Sequence, residues 1–166
     1  MVSEGYASVT TRRVAGIVGL TPALVHYHYR TTEDLLIATY RRAIARRDQR
    51  IREAIDSERP MHALWNLNSD PSRMALGIEF VAMANHRKSI RTEMCRHTED
   101  ERKLHAYALS RCRAHAKADL WGCSPICAAT LMNGITKGLV MDQILSISYA
   151  HAETREFIER LLDQLE

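Results

Sequence analysis

The stretch Thr10-Thr11-Arg12-Arg13-Val14-Ala15-Gly16-Ile17-Val18-Gly19-Leu20-Thr21-Pro22-Ala23-Leu24-Val25-His26-Tyr27-His28-Tyr29 decides how this chain is read. Thr10 is placed as an N-cap, and Val14, Ile17 and Val18 recur at helical spacing, which predicts a short helix from Thr10 to Val18. Gly19 ends it, being free to take the left-handed conformation. Thr21 caps a second short helix running from Pro22 to about Tyr29. Its proline holds the first position, where a missing N–H costs little. Two helices crossing steeply through so tight a turn need a small residue where they touch, a glycine at the turn, and apolar side chains inside the angle. Ala15 and Gly19 meet the first two needs, and Val14, Val18, Leu20 and Val25 the third. This is helix-turn-helix spacing, with one departure: His28 stands where an apolar residue is more usual.

Helical periodicity continues outward from this stretch. Thr31-Thr32-Glu33-Asp34 is a variant capping box opening a long helix from Thr32 to about Ser57. Leu36, Tyr40, Ala43, Ile44, Ile51 and Ile55 form its apolar face, and Arg41, Arg42, Arg46, Arg47 and Arg50 are expected in water. Pro60 starts a short helix with Met61, Leu64, Trp65 and Leu67. Further helices are expected from Ser72 to about Asn85, Arg87 to about Leu120, Ile126 to about Ser146 and Ala150 to Leu165. Gly122-Cys123-Ser124-Pro125 makes the one strong break late in the chain. No strand is convincing, so the fold class is all-α.

Composition agrees. The chain has 166 residues, 46% hydrophobic and 26% charged, with only 7 Gly and 4 Pro. That length buries roughly two-thirds of the unfolded chain's surface without a staple, and so few turn residues disfavour a β-sandwich or barrel. No apolar run approaches the roughly 18 residues of a membrane span, and Met1-Val2-Ser3-Glu4-Gly5 lacks a secretory pattern. A cytoplasmic location without membrane association is expected, with Cys95, Cys112, Cys123 and Cys127 reduced. The net charge is +3, but residues 1–55 hold nine Arg and no Lys against five acids, a local +4. The basic excess therefore sits at the end that carries the two short helices.

A helix in the major groove places its first turns against base edges. On the second short helix Thr21, Pro22, Ala23, Leu24, His26, Tyr27 and His28 would be exposed to DNA. Their hydroxyls and imidazoles can bond phosphate oxygens, and Ala23 and Leu24 can touch thymine methyls. No Arg or Lys lies on this helix, so affinity should lean on phosphate contacts from Thr10, Thr11, Arg12 and Arg13. Tyr29 is expected to pack the head.

The residues Gly5-Tyr6, Thr10, Val14-Ala15, Gly19-Leu20-Thr21, His26-Tyr27-His28-Tyr29 and Glu33-Asp34-Leu35-Leu36 resemble the DNA-binding end of the tetracycline-repressor family of bacterial transcriptional regulators. Gly138-Leu139 is similar to a feature of its penultimate helix. The resemblance implies a DNA-binding head at residues 1–36 and a helical ligand-binding and dimerisation domain at 37–166. It further implies a homodimer on a double-stranded inverted-repeat operator, released by a small hydrophobic or amphipathic effector. His26 takes the place of the family's phosphate-contacting tyrosine, and Thr32 that of a common lysine. The family has a full helix before Gly5-Tyr6, where this sequence has four residues. The expectation is a native start further upstream and a head that is partly exposed.

An apolar effector cavity is expected from Trp65, Phe80, Met83, Met94, His97 and Tyr107, with Glu79 among its polar groups. Taken singly, each of these residues reads better as core packing; that some of them form a pocket is what the resemblance implies. Met132, Ile135 and Leu139 on one helix and Phe157 and Leu161 on the next form a two-helix apolar surface, read as the subunit interface, with Gly134 and Gly138 allowing close approach. Cys112/His115 and Cys123/Cys127 have helical spacing for paired ligands. No convergent set of four is legible, so neither metal nor cofactor is expected. A glycine-rich phosphate loop, a nucleophile elbow and a zinc-protease motif are all missing, which points away from an enzyme. The alternatives are a helical small-molecule-binding module without DNA binding, and a metal or thiol sensor on the same scaffold.

Overall fold

A computed structural model of the chain describes residues 5–112 and 122–166. Every regular element among them is helical. A 3-10 turn, Tyr6–Ser8, precedes α1 (Thr11–Ile17), α2 (Pro22–His28), α3 (Thr32–Ile55), α4 (Pro60–Asn68), α5 (Pro71–Ala84), α6 (Lys88–Arg111), α7 (Pro125–Ile144) and α8 (His151–Leu165). The expected extension of α6 to Leu120 lies outside the described residues, as does His115.

Local chemistry sets most of these boundaries. Thr10 Oγ1 accepts from Arg13 N at 3.1 Å, and Thr21 Oγ1 accepts from Leu24 N at 3.3 Å, so both short helices start on threonine caps. Thr31 and Asp34 exchange hydrogen bonds: Thr31 Oγ1 accepts from Asp34 N, and Asp34 Oδ2 accepts from Thr31 N, at 3.1 and 3.0 Å. This reciprocal box satisfies two otherwise orphaned N–H groups at the start of α3. Ser124 caps α7, with Pro125 in its first turn.

The chain divides into two compact units, Met1–Arg46 with Arg73–His97, and Arg47–Ser72 with Thr98–Glu166. Both α3 and α6 contribute residues to each unit.

In the first unit Leu36, Tyr40, Phe80, Met83 and Ile90 form the buried core, flanked by Tyr6, Val9, Ile37, Leu76 and Met94. The Tyr40 and Phe80 rings sit 4.7 Å apart at 50°, and the His97 ring stands edge-on to Tyr40. Tyr6 N donates to Glu79 Oε2 at 2.8 Å, tying the N-terminal turn to α5. Arg41 grips Glu93 through Nε and Nη2, and holds that carboxyl below its ordinary range by hydrogen bonding and charge.

In the second unit Ile51, Met61, Leu64, Trp65, Leu109, Ile158, Leu162 and Leu165 pack around Ala108, Ala128 and Ala129. These small residues let the helices approach closely at the centre of the core.

Candidate nucleic-acid interface and core cavity

The Thr10–Tyr29 stretch forms two helices and not one rod. Ala15 is fully buried and Val25 nearly so, and these are the buried residues of the pair. Leu20 N donates to Ala15 O at 2.9 Å across the turn, and Gly19 has φ +69°. A Cβ built on Gly19 would meet nothing within 4 Å, so the glycine is required by conformation and not by space.

The inside of the angle is emptier than the sequence suggests. Val14 is half-buried, while Val18 and Leu20 are exposed and Ile17 keeps 75% of its surface in water. Two helices of two turns each have too little surface to cover four branched side chains.

Of the residues expected at DNA, Thr10, Arg12, Thr21, Pro22, Ala23, Leu24, His26, Tyr27 and His28 are exposed. Thr11 and Thr32 are half-buried. Tyr27 is 81% exposed and touches His28 edge-to-face at 5.2 Å. Thr10 and Thr21 use one oxygen lone pair each on the caps, which leaves each O–H as a donor. Tyr29 is half-buried.

The residues expected to line an effector cavity separate. Phe80 and Met83 are core residues of the first unit, with Met94 packed on that core and His97 beside Tyr40. Trp65 belongs to the core of the second unit, and Tyr107 is 54% exposed, with Arg111 over its ring.

A small cavity, about 10 Å³, does lie inside the second unit. It is lined by Met61, Leu64, Trp65, Asn68, His105 and Leu109 from α4 and α6, and by Ala129, Met132, Asn133 and Thr136 from α7. Arg47, expected on a solvated face, bonds Glu101 through Nε and Nη2 and donates from Nη2 to Asn68 Oδ1 at 2.8 Å. Asn68 Nδ2 donates to Asn133 Oδ1 at 3.4 Å, and Asn133 Nδ2 meets His105 Nδ1 at 3.0 Å. His105 and Asn133 are both buried. Burial pushes the imidazole below its ordinary pKa, against the opposing pull of Glu101. Sequence reasoning missed this group. Its one legible signal was Asn133 and Thr136 sitting a turn apart in an otherwise apolar helix.

Among the residues expected at a subunit interface, Met132 and Leu139 are buried and Ile135 and Leu161 pack against the unit's own core. Phe157 is exposed. The row that faces water on α7 is Cys127, Leu131, Gly134, Gly138 and Met141, at alternating steps of four and three, and it runs on to Leu145 at the C-cap. The apolar stripe around α7 is continuous, so periodicity alone does not tell its inner edge from its outer one.

Among the described residues no three histidine, cysteine or carboxylate side chains could hold a metal ion, and no helix is long and apolar enough to cross a membrane. No disulfide joins the described cysteines: Cys95 and Cys127 are exposed and Cys112 is buried, where desolvation raises its pKa. No protein-family model matches this chain, and no curated protein is significantly similar to it.

Proposed function

We propose that this chain is a transcriptional regulator of the tetracycline-repressor type, acting as a repressor in the cytoplasm. It binds an inverted-repeat operator as a homodimer and is released by a small hydrophobic or amphipathic effector. The observation that carries this reading is the pair α1–α2: a glycine-turned elbow closed on Ala15 and Val25, with an outer helix whose polar and aromatic side chains have no core to serve. An exposed tyrosine between two exposed histidines, beside Arg12 and two capping threonines, suits contacts to phosphates and base edges.

The homodimer is supported by the outward row of α7. Leu131, Met141 and Leu145 supply apolar area, and Gly134 and Gly138 offer room for a facing backbone, since a Cβ at either meets nothing within 4 Å. With two heads so joined, recognition helices about 34–36 Å apart would reach successive major grooves. An effector acts by binding one head spacing better than another, and by no more than that difference in affinity.

A gel shift against the DNA flanking the protein's own gene, repeated across salt concentrations, tests the reading. Retarded DNA whose affinity falls steeply with salt is the expected result. A second reading, a helical small-molecule-binding module without DNA binding, is favoured by the uncovered Ile17, Val18 and Leu20. It predicts no retardation at any salt concentration.

A further inference from the structure

The polar group inside the second unit has a direction that chemistry alone fixes. Arg47 can only donate, so Asn68 must accept through Oδ1 and turn its amide N–H₂ toward Asn133. Asn133 then accepts through Oδ1 and presents its own N–H₂ to His105 Nδ1. A neutral ring that accepts at Nδ1 carries its proton on Nε2. That Nε2 is buried and has no partner among the described residues. The chain of donors thus starts at a guanidinium, runs head to tail through two amides, and ends on an N–H with no acceptor among the described residues. Such an arrangement strengthens the terminal donor, and a buried donor left unmet costs its desolvation.

His105 also lines the cavity, together with Thr136, whose hydroxyl donates to Met132 O at 2.8 Å and keeps a lone pair. Besides Asn68 and Asn133, the remaining wall is aliphatic (Met61, Leu64, Leu109, Ala129 and Met132) with the Trp65 indole. Volume for about one water is present now, and the two unbranched methionines can turn aside to admit more.

We propose that this cavity is a binding site for an uncharged small molecule bearing an oxygen acceptor, a ketone, amide or alcohol, whose oxygen takes the Nε2–H of His105 while its apolar part displaces Met61 and Met132. The proposal deepens the effector half of the function above and rests on it for its biological meaning; the binding itself needs no DNA. A carboxylate is disfavoured, because the site is desolvated and no described residue lining it carries a positive charge.

The test uses the full chain labelled with nitrogen-15 and follows the ring nitrogens of His105 while cyclohexanone, and separately cyclohexane, is added. The expected spectrum of the free protein has a protonated Nε2 and an unprotonated Nδ1. Cyclohexanone should shift Nε2 saturably and raise the melting temperature, and cyclohexane should leave Nε2 in place. In His105→Phe the ketone affinity should fall at least tenfold. A proton found on Nδ1 overturns the proposal, as does equal binding of the hydrocarbon, or an Nε2 that sees only a bound water which the ketone never displaces. The wild-type spectra decide the matter even if the variant fails to fold. A ketone shift without a gel shift would sink DNA regulation and leave this site standing; the converse would sink this site alone.

Discussion

The carboxylate of Glu166 accepts a hydrogen bond from Met61 N at 2.5 Å, reaching back 105 residues to the first turn of α4. The residue at the N-cap position, Arg59, makes no side-chain cap bond, so Glu166 does that work. Its other oxygen meets His62 Nδ1 at 2.6 Å and Arg59 Nε at 3.1 Å. Glu166→Ala should therefore cost about 1 kcal/mol, as loss of a cap does, and lower the melting temperature by about 2–4 °C. Glu166→Gln keeps an acceptor and should lose less. Urea denaturation of the two variants side by side checks the ordering.

Gly19 should resist substitution for a reason that cavity volume does not reveal. Space around it is open, yet φ +69° places an L-residue in the left-handed region. Gly19→Val is expected to destabilise the first unit by about 1–2 kcal/mol, and Gly19→Asn by distinctly less. Hydrogen exchange of the α1 and α2 amides reads this directly: faster exchange in Val, near-native exchange in Asn.

Acid should weaken the second unit through His105. Its imidazole is depressed below the ordinary value of about 6.5 by burial. As pH falls below that value the unfolded chain takes up a proton that the folded ring refuses, so stability falls with pH. It is fully present above the unfolded pKa and lost on the way down through the folded one. Melting temperatures from pH 7.5 to 5 should decline less steeply in His105→Gln than in wild type. Equal slopes would show that this ring does not titrate as argued.

Tyr27 and Arg12 separate binding from folding. Both side chains are exposed, so Tyr27→Ala and Arg12→Ala should change stability by no more than about 0.5 kcal/mol. For DNA, each should weaken binding about tenfold. Arg12→Ala should also flatten the log–log salt dependence by about 0.9, the loss of one phosphate contact. Unchanged DNA affinity in both would count against α2 as the reading helix.

On α7 two leucines eight residues apart should behave in opposite ways. Leu139 is buried and Leu131 is 48% exposed. Leu139→Glu buries an unpaired carboxyl and should cost more than about 4 kcal/mol. Leu131→Glu should fold normally and, if the outward row joins two copies, sediment as a monomer. Analytical ultracentrifugation with circular dichroism distinguishes these results.

Helix starts were the most legible part of this chain. Thr10, Thr21, Thr31 with Asp34, and Ser124 all make the cap bonds their positions predict, because capping is decided within four residues. What a helix faces is decided elsewhere. Leu139 and Leu131 are the same residue type on one apolar helix, and only the packing of Trp65, Leu162 and their neighbours says which is inside. The same holds for Arg47, which lies among four arginines in water yet carries a glutamate and an asparagine. Of the expected effector residues, Phe80, Met83 and Met94 belong to one apolar cluster and Trp65 to another, and composition alone does not assign a residue to either. His105 escaped notice since its partner, Asn133, lies 28 residues away.

Trp65 forms part of the wall around the His105 cavity, and the only other indole in the sequence is Trp121. With Trp121 replaced by phenylalanine, the emission of one buried chromophore would report on that chamber alone. The molecule thus carries its own optical gauge, read without a label and at micromolar concentration, of whatever enters beside the imidazole.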